Sequence, residues 1–427
     1  MKTILLAFII FSSSAFGQTK SFDEIWASVF EKSYEQKSAL QEKEASELSL
    51  NRAKRHWLPR VYTMGQYLNT NDPTQVFFNN LGQRSITQTD FSPALLNNPD
   101  RQKFKMGTLG VDLPLFEGGF KSSQSSMYES LVKSAELQMK AKKSEEYAEL
   151  GRQYGGLLLH TQNEGLLKDL KIGLEKIISS YQVGSSSNPV GYSGLLGLKG
   201  VDHRIEGLLA EYEMKIHNSK NWINTKIESE ENWVPNLKQS IQNFLSDNLS
   251  SSSTNSYSTM LLAQEMKLKT LDDVKDMERA RYLPRVGLFA QNNVYSGDRN
   301  TGYSQAYGLY LMWDIFNSDS YGRMGEAQAK AMAEKSKLES HKQQEKIMLN
   351  QLLESKATLE KNIVLLNKTE ILLKEQTQNA MKLFKAGMLN ALQLAEVINR
   401  RVDLIQNKDT AENQYLEVYS RLYQLNN

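Results

Sequence analysis

The chain has no cysteine, only eight prolines in 427 residues, and a net charge of only +2. Without cysteine it can form neither disulfides nor thiolate metal sites. The small net charge gives no basic field that would attract nucleic acid. After the first residues, no apolar run approaches the roughly 20 residues that a spanning helix needs. If the protein crosses a membrane, it must do so with strands that close into a barrel.

Residues 1–17 have the features of a secretory signal peptide. Lys2 precedes a short apolar stretch at residues 4–11, and Ala15-Phe16-Gly17 forms a small-x-small motif. We expect cleavage before Gln18. Because no cysteine follows that position, a lipid anchor at the new N-terminus is excluded.

Three landmarks occur twice in the same order, which indicates an internal duplication. Leu-Pro-Arg-Val at residues 58–61 recurs at 283–286, residues 113–117 have a counterpart at 313–317, and Gly184 aligns with Gly387. We therefore divide the chain after the signal peptide into three parts. They are a first repeat over 18–214, an intervening segment and linker over 215–256, and a second repeat over 257–427.

Each repeat predicts a helix that ends at the Leu-Pro pair, because proline disfavours helix at the residue before it. A β-hairpin follows, at about 60–116 in the first repeat and about 285–316 in the second. A long helical hairpin comes next, with its tip near 184 or near 387. In the first β-hairpin, the polar residues 70–103 are interpreted as a loop.

The helical stretches 121–181 and 323–384 would each extend roughly 90 Å at 1.5 Å per residue. Leucines recur every seven residues in the second stretch, which is typical of a coiled coil. These leucines are Leu352, Leu359, Leu366 and Leu373. A filamentous two-helix coiled coil without a channel also fits the helices alone.

The hairpin strands alternate between apolar and small or polar residues, as barrel strands do. Leu109, Val111, Leu113 and Leu115 share one face in the first half. The apolar face of the second half is assigned to Tyr307, Leu309, Leu311, Trp313 and Ile315. Four strands leave two open edges, so several copies must share one barrel if the strands are transmembrane. The alternative is a pair of soluble hairpins that pack an apolar face on the helices.

In this order, these features resemble the TolC family of outer-membrane channel proteins. The resemblance rests on residues 55–61, 113–119 and 383–397 and on the duplicated plan. It implies a mainly α fold with a small transmembrane β part. Three subunits would each contribute four strands to a shared twelve-stranded barrel, with long coiled-coil helices forming a periplasmic α-barrel. Residues 215–256 and the C-terminal residues would form an equatorial belt.

The function implied by the resemblance is a passive export duct in a tripartite efflux or type I secretion system. The homotrimer would sit in outer-membrane lipid, with most of the chain in the periplasm of a Gram-negative-type cell. A periplasmic adaptor protein would couple it to an inner-membrane pump. The alternative is a non-channel periplasmic coiled-coil protein, structural or an adaptor. Duplication disfavours it, because an adaptor needs only one helical hairpin.

The resemblance also assigns the tips of the helical hairpins to adaptor docking. The tip residues here are Val183, Gly184, Ala386 and Gly387. Glycine suits such a break because it allows a left-handed or closely packed backbone. A plain turn glycine is the alternative. Just after the first tip, glycines recur every third residue, at Gly191, Gly194, Gly197 and Gly200, which favours close helix–helix approach.

Family members carry acids on the tunnel wall six and nine positions beyond the second tip glycine. These positions map to Gln393 and Glu396. Three Glu396 carboxylates around a threefold axis would form a constriction that attracts cations. Because Gln393 is uncharged, this pore is expected to be less acidic. A solvated surface glutamate is the alternative for Glu396. Asp112 and Asp314 are assigned to the barrel lumen, or simply to strand ends.

No catalytic pattern is present in the sequence. The five histidines show no zinc-ligand spacing, and no Gly-x-Ser-x-Gly elbow occurs. The pair Glu145-Glu146 is interpreted as a solvated acid pair on a charged helix. We therefore expect no catalytic residues, no metal and no cofactor.

Overall fold

The computed structural model describes residues 18–181, 189–229, 233–250 and 257–427. The predicted signal peptide, the first tip residues Val183 and Gly184, and most of the serine-rich linker lie outside the described residues.

The chain divides into two compact units. The helical unit comprises Met1–Leu40, Leu137–Leu261 and His341–Asn427, and the sheet unit comprises Gln41–Glu136 and Leu262–Ser340. The elements follow in chain order as β1 (Gln18–Thr19), α1 (Phe22–Lys32), α2 (Tyr34–Lys54), β2 (Arg60–Thr70), α3 (Pro73–Gly82), a 3-10 turn (Gln88–Phe91), α4 (Pro93–Asn97), β3 (Gln102–Glu117), α5 (Phe120–Ser180), α6 (Pro189–Ile227), β4 (Trp233–Val234), α7 (Ile241–Asn248), α8 (Thr259–Ala280), β5 (Arg285–Gly297), β6 (Thr301–Met312), a 3-10 turn (Ser318–Ser320), α9 (Arg323–Lys385) and α10 (Ala391–Asn426).

The predicted fold class, long helices with a small antiparallel sheet, is confirmed. Helix α5 has 61 residues and α9 has 63. Each is therefore roughly 90 Å long at 1.5 Å per residue. No helix among the described residues is both long enough and apolar enough to cross a bilayer.

The duplicated landmarks adopt the same local structure in both halves. Each Leu-Pro pair stands between a helix end and the first residue of a strand, Arg60 or Arg285. Each long helix then begins one residue after a glycine with left-handed backbone, Gly119 at φ 88° and Gly322 at φ 82°. That conformation is strained for residues with a Cβ, so glycine fixes where both helices start.

The core of the helical unit is a set of apolar helix faces with an aromatic centre. Trp233 of β4 is fully buried, and its ring stacks on Tyr154 of α5 at 6.3 Å. The Tyr154 hydroxyl donates to the carbonyl of Lys20 at 3.0 Å and accepts from the amide of Asn236 at 3.2 Å. One side chain thereby ties the segment after β1 to the segment after β4.

Helix α6 continues past residue 214, the predicted end of the first repeat, as far as Ile227. The reason is packing, because Ile223 and Ile227 are buried in the same core as Trp233. The tryptophans that made residues 215–256 look like a separate segment therefore belong in part to a continuing helix. Helix α7 adds Phe244 and Leu245 to this core.

In the sheet unit, the strand order is β2-β3-β5-β6 and every pairing is antiparallel. The register places apolar side chains on one face, as the alternation predicted. This apolar face carries Val61, Leu109, Val111, Leu113, Leu288, Tyr303, Tyr307, Leu309 and Leu311. A register shift between Pro114 and Phe116 leaves Leu115 in a bulge, where proline's missing N–H is tolerated.

Strand β6 ends at Met312, so Trp313 and Ile315 lie beyond the strand to which the alternation assigned them. The Trp313 indole nitrogen donates to the carbonyl of Tyr282 at 3.1 Å, in the turn before β5. This bond turns the side chain back onto the Leu-Pro turn and away from the strand face.

The connection between β2 and β3, predicted as a polar loop, contains α3, a 3-10 turn and α4. It packs on the short β5–β6 turn. Gln83 is fully buried, and its side-chain oxygen accepts from the amide of Asn300 at 3.0 Å. Arg299 pairs with Asp90 at 2.8 Å. These polar contacts join residues more than 200 positions apart and hold the connection in place.

Gly155 of α5 offers a test of helix packing. A Cβ there would lie 2.7 Å from Leu416 of α10 and 3.0 Å from Phe244 of α7. We expect Gly155→Val to lower the free energy of unfolding by roughly 1–3 kcal/mol, as overpacked core sites do. Thermal unfolding followed by circular dichroism measures the effect.

Gly165 on the same helix is the matched control, because a Cβ there meets nothing within 4 Å. Gly165→Ala should leave stability unchanged or raise it by about 0.5–1 kcal/mol through helix propensity. Equal stability of Gly155→Val and wild type would contradict the packing assignment.

Candidate functional site

The second helical hairpin turns at Ala386–Asn390, between α9 and α10. The Gly387 amide donates to the Phe384 carbonyl at 3.0 Å, and the Met388 amide donates to the Leu383 carbonyl at 2.9 Å. With φ of 74° at Gly387, this is a Schellman motif that satisfies the last carbonyls of α9. Gly387 therefore serves the turn itself, and its Cα faces open space.

The start of α10 uses Gln393, one of the two predicted constriction residues. The Asn390 side chain accepts from the Gln393 amide at 2.9 Å, and the Gln393 side chain accepts from the Asn390 amide at 3.2 Å. This reciprocal pair is a capping box, which satisfies two backbone donors at the helix start. The resemblance assigned Gln393 only to a wall position, and the structure adds this capping role.

Glu396, the other predicted constriction residue, is exposed one turn further along α10. Its carboxylate accepts from the Arg400 guanidinium at 2.5 Å, and both side chains are about 60% exposed, at 62% and 59%. Exposed pairs of this kind contribute little to stability. The arrangement leaves both charges accessible to solvent.

The tip also presents apolar side chains to solvent. Met388 is 75% exposed, and Leu383 and Leu392 beside it are exposed as well. A shallow groove of about 440 Å³ lies between α9 and α10, lined mainly by Leu372, Leu383, Leu389 and Val397 with Ala380, Gln376, Asn379 and Glu375. The tip is thus a compact turn surrounded by uncovered apolar surface.

The first tip can be described only at its flanks, because Val183 and Gly184 lie outside the described residues. The Tyr181 hydroxyl donates to the Gly191 carbonyl at 3.1 Å, and its ring stacks on Phe384 at 5.8 Å. The flank of the first tip therefore contacts the helix that leads into the second tip.

The glycines after the first tip behave as predicted at two positions. A Cβ on Gly194 would lie 2.6 Å from the Cβ of Ala391, and one on Gly197 would lie 3.3 Å from Leu392. These two glycines allow α6 to approach α10 closely. Gly200, in contrast, has nothing within 4 Å, so the pattern does not extend that far.

A buried polar cluster lies where α5, α6 and α10 pack together. Asp409 is 5% exposed and accepts from the Asn163 amide at 2.9 Å. Lys215 and His160 approach the same carboxylate at 3.7 Å and 3.8 Å. Glu211 pairs with Lys215 at 2.7 Å, so the cluster contains charges of both signs.

The pKa of the His160 imidazole is lowered in this cluster, chiefly by burial. Asp409 and Glu211 oppose this shift, and Lys215 adds to it. The Asn413 amide nitrogen lies 3.3 Å from Nε2 of His160. Stability from the neutral ring is present above the ordinary pKa and is lost as pH falls through the lowered one.

The pKa of Glu412, one turn further along α10, is shifted in the opposite direction. The residue is buried, and burial raises the pKa of its carboxyl to about 7. Lys408 at 3.9 Å and the Gln242 amide at 3.1 Å lower this pKa, and Glu370 and Asp409 raise it. Its stabilising effect is present below about pH 4.5 and is lost as pH rises through about 7.

The interpretation of Glu145-Glu146 as a solvated pair is wrong for Glu146, whose side chain is only 2% exposed. It accepts from the Ser33 hydroxyl at 2.8 Å and from the Gln36 amide at 3.0 Å, with Lys226 at 3.5 Å. Buried carboxylates require such partners, and these link the α1–α2 junction to α5 and α6. Because the partners are distant in sequence, local charge density gave no sign of them.

The two predicted lumen residues have different positions. Asp112 is half-buried within β3, on the face opposite the apolar one and directly across from Arg60. Asp314 is exposed and lies two residues beyond the end of β6. In the part of the chain that the structure describes, no three His, Cys, Asp or Glu side chains come together in a way that could hold a metal ion.

Comparison with known proteins identifies relatives only through structure. No protein-family model matches the chain, and no curated protein matches its sequence. Among solved structures, CusC is 12% identical with a TM-score of 0.77, covering 96% of this chain and 93% of its own. Its description concerns conformational changes that accompany folding and transmembrane channel formation.

Two outer-membrane channels are similar in the same way. MtrE of Neisseria gonorrhoeae is 14% identical with a TM-score of 0.72, covering 94% of this chain and 88% of its own. CmeC of Campylobacter jejuni is 13% identical with a TM-score of 0.70, covering 94% and 85%. The resemblance to TolC family channels is thereby confirmed for the fold over nearly the whole chain.

Glu412 provides a pH-dependent test. In wild type, raising the pH from about 5 to about 8 should cost up to about 3 kcal/mol of unfolding free energy, because the buried carboxyl must ionise. Glu412→Gln stays neutral, so its stability should change less over this range. Denaturant unfolding at several pH values measures the difference. Glu417→Gln, at a partly exposed glutamate on the same helix, is the control and should keep the wild-type profile.

Proposed function

We propose that the chain is one subunit of a homotrimeric outer-membrane channel. It would serve as a passive duct from the periplasm to the exterior, in a tripartite efflux or type I secretion system. The observation that supports this best is the four-stranded sheet, whose apolar face is uncovered and whose outer strands each have one unpaired edge among the described residues.

The apolar face of the sheet is suited to lipid. Tyr307 is 87% exposed, and Leu309 and Leu311 beside it on β6 are also exposed. A soluble protein rarely leaves so continuous an apolar surface in water. The opposite face carries Asp112, Thr108 and Asn293, with a side-chain hydrogen bond between the last two at 2.8 Å. One apolar and one polar face are what a barrel wall requires between lipid and an aqueous lumen.

The edges of β2 and β6 require further strands. Within the described residues, β2 pairs only with β3 and β6 pairs only with β5. Unpaired backbone groups are not tolerated in hydrocarbon, so a single copy cannot close a barrel. Three copies with four strands each would give the twelve-stranded barrel implied by the resemblance. On this proposal Asp112 lines the lumen, and Asp314 lies just beyond the strand end.

The helical unit also leaves surface for neighbouring copies. Along α9, Leu352 is buried and Leu359 and Leu366 pack against the core. A second apolar set on the same helix is exposed and has no such role. Its members are Ile347, Leu353, Val364, Leu365, Ile371 and Leu372. We propose that adjacent subunits cover this set and that the assembled helices form the periplasmic α-barrel.

The partners proposed are a periplasmic adaptor protein and, through it, an inner-membrane pump. The adaptor would dock at the hairpin tips, at Val183-Gly184 and Ala386-Gly387. Exposed Met388 and Leu392 support docking at the second tip, because uncovered apolar surface at a rigid turn suits a partner's side chains. Residues 1–17 would be removed during export, and residues 215–256 would form the equatorial segment and linker between the two repeats.

The alternative, a non-channel periplasmic coiled-coil or adaptor protein, accounts for the helices but not for the sheet. Such a protein would cover the apolar sheet face with its own helices. Instead Tyr307, Leu309 and Leu311 remain exposed in the described chain. The sheet therefore favours the channel over the coiled-coil alternative.

The oligomeric state and conductance test the proposal together. Protein without residues 1–17 should require detergent for solubility, and light scattering should give three protein copies per particle. The same particles should conduct ions across planar lipid bilayers. A monomer that is soluble without detergent would refute the channel.

Substitutions at Glu396 and at Arg400 should change cation selectivity in opposite directions. If the pair lines a constriction, Glu396→Gln leaves an unpaired cation and should lower cation selectivity. Arg400→Gln leaves an unpaired carboxylate and should raise it. The reversal potential in a salt gradient measures both. Unchanged selectivity in both variants would remove the constriction assignment and leave the channel proposal intact.

A further inference from the structure

Aromatic side chains on the polar face of the sheet lie directly across from glycines of the neighbouring strand. The face is the one that carries Asp112, opposite the apolar face. The pairs are Tyr62 with Gly110, Phe289 with Gly308, and Tyr310 with Gly287. In each pair the two residues occupy matching register positions on adjacent antiparallel strands.

The rings occupy the space where a glycine side chain would begin. A Cβ on Gly308 would lie 2.9 Å from Cε1 of Phe289, closer than real Cβ atoms approach other atoms. At Gly110 and Gly287 a Cβ would meet ring atoms of Tyr62 and Tyr310 more closely still. Each ring therefore lies across the next strand, over bare backbone.

Aromatic residues on the two faces of the sheet differ in their exposure and in their cross-strand partners. Tyr307 and Tyr303 on the apolar face are strongly exposed, and they pair with Ala290 and Val294 rather than with glycines. Tyr62 and Tyr310 on the polar face are only half-exposed. The Tyr62 ring also has a cation–π contact, because the Arg60 guanidinium lies 5.7 Å from its centroid. Aromatic residues paired with glycine are known to stabilise sheets, but the restriction to one face calls for a second reason.

We infer that these glycines hold the aromatic rings flat against the wall and thereby set the free width of the lumen. The inference rests on the proposed function, in which the polar face lines the pore. A methyl group at Gly110 would displace the Tyr62 ring. Because backbone lies beneath the ring, the space available to it is away from the sheet, into the lumen. The glycines are thus positioning residues for the rings, and the rings limit the width of the barrel lumen at their own level.

The test is the single-channel conductance of Gly110→Ala in planar bilayers. In each of the three subunits, a displaced ring would obstruct the lumen beside one of the four strands. Because a quarter of the wall is affected at that level, we expect conductance to fall by on the order of a quarter. Gly107→Ala is the matched control, on the same strand but the opposite face, where a Cβ meets nothing within 4 Å. It should conduct like wild type.

A double variant separates ring displacement from general disturbance of the sheet. Tyr62→Ala removes the ring, so adding Gly110→Ala in that background should cause no further loss of conductance. If Gly110→Ala alone does not assemble, Gly308→Ala with Phe289→Ala provides the same comparison at the pair with the most space.

The outcomes distinguish the two proposals. A wild-type protein that does not conduct refutes the proposed function. A conducting wild type with unchanged conductance in Gly110→Ala or Gly308→Ala overturns this inference alone. Equal losses with and without the aromatic ring would also overturn it, since the ring would then not be the obstruction.

Discussion

The hydrogen-bonding needs of the four-stranded sheet constrain the rest of this structure. Its backbone groups are satisfied between β2 and β6, but the outer edges of these two strands are unpaired among the described residues, and one face is apolar and uncovered. Water would solvate the edges but not the face, and lipid would suit the face but not the edges. Additional strands from other copies resolve both problems at once. The proposed assembly of several copies follows from this conflict rather than from any single residue, and the number three comes from the resemblance.

The interior of the helical unit combines apolar packing with buried charged and titratable groups. Burial lowers the pKa of His160 and raises the pKa of Glu412 to about 7, so the two groups respond to pH in opposite directions. Acid charges the histidine and base charges the glutamate, and each change costs desolvation. The cluster around Asp409 therefore favours the packed helices within a limited pH range. Buried polar groups of this kind limit how helices can slide, since any shift would separate their partners.

Much of the architecture could be predicted from local signals. The duplicated Leu-Pro-Arg-Val motif located the helix-to-strand turns, and alternation along β3 and β6 assigned their faces correctly up to the bulge at Leu115. These features depend on residues close together in sequence. The fold class is confirmed, while the tip and constriction residues remain predictions.

Features that depend on distant partners could not be predicted in the same way. Glu146 is buried by contacts with Ser33 and Gln36, and the helices of the β2–β3 connection pack on a turn some 200 residues away. Asp409 and Glu412 did leave a signal, because they follow Ile405 and precede Leu416 at spacings of four, three and four. A charged residue within such an apolar stripe indicates a buried polar group.

The capping box at the start of α10 has an evolutionary consequence. Capping boxes accept glutamate as readily as glutamine at their third position. The residue that closes this cap is Gln393, on the same exposed surface as Glu396. Exchange of the amide for an acid there alters the local charge while preserving the helix start. Selection can thus adjust the ionic character of this surface through a single codon, without disturbing the turn on which the hairpin depends.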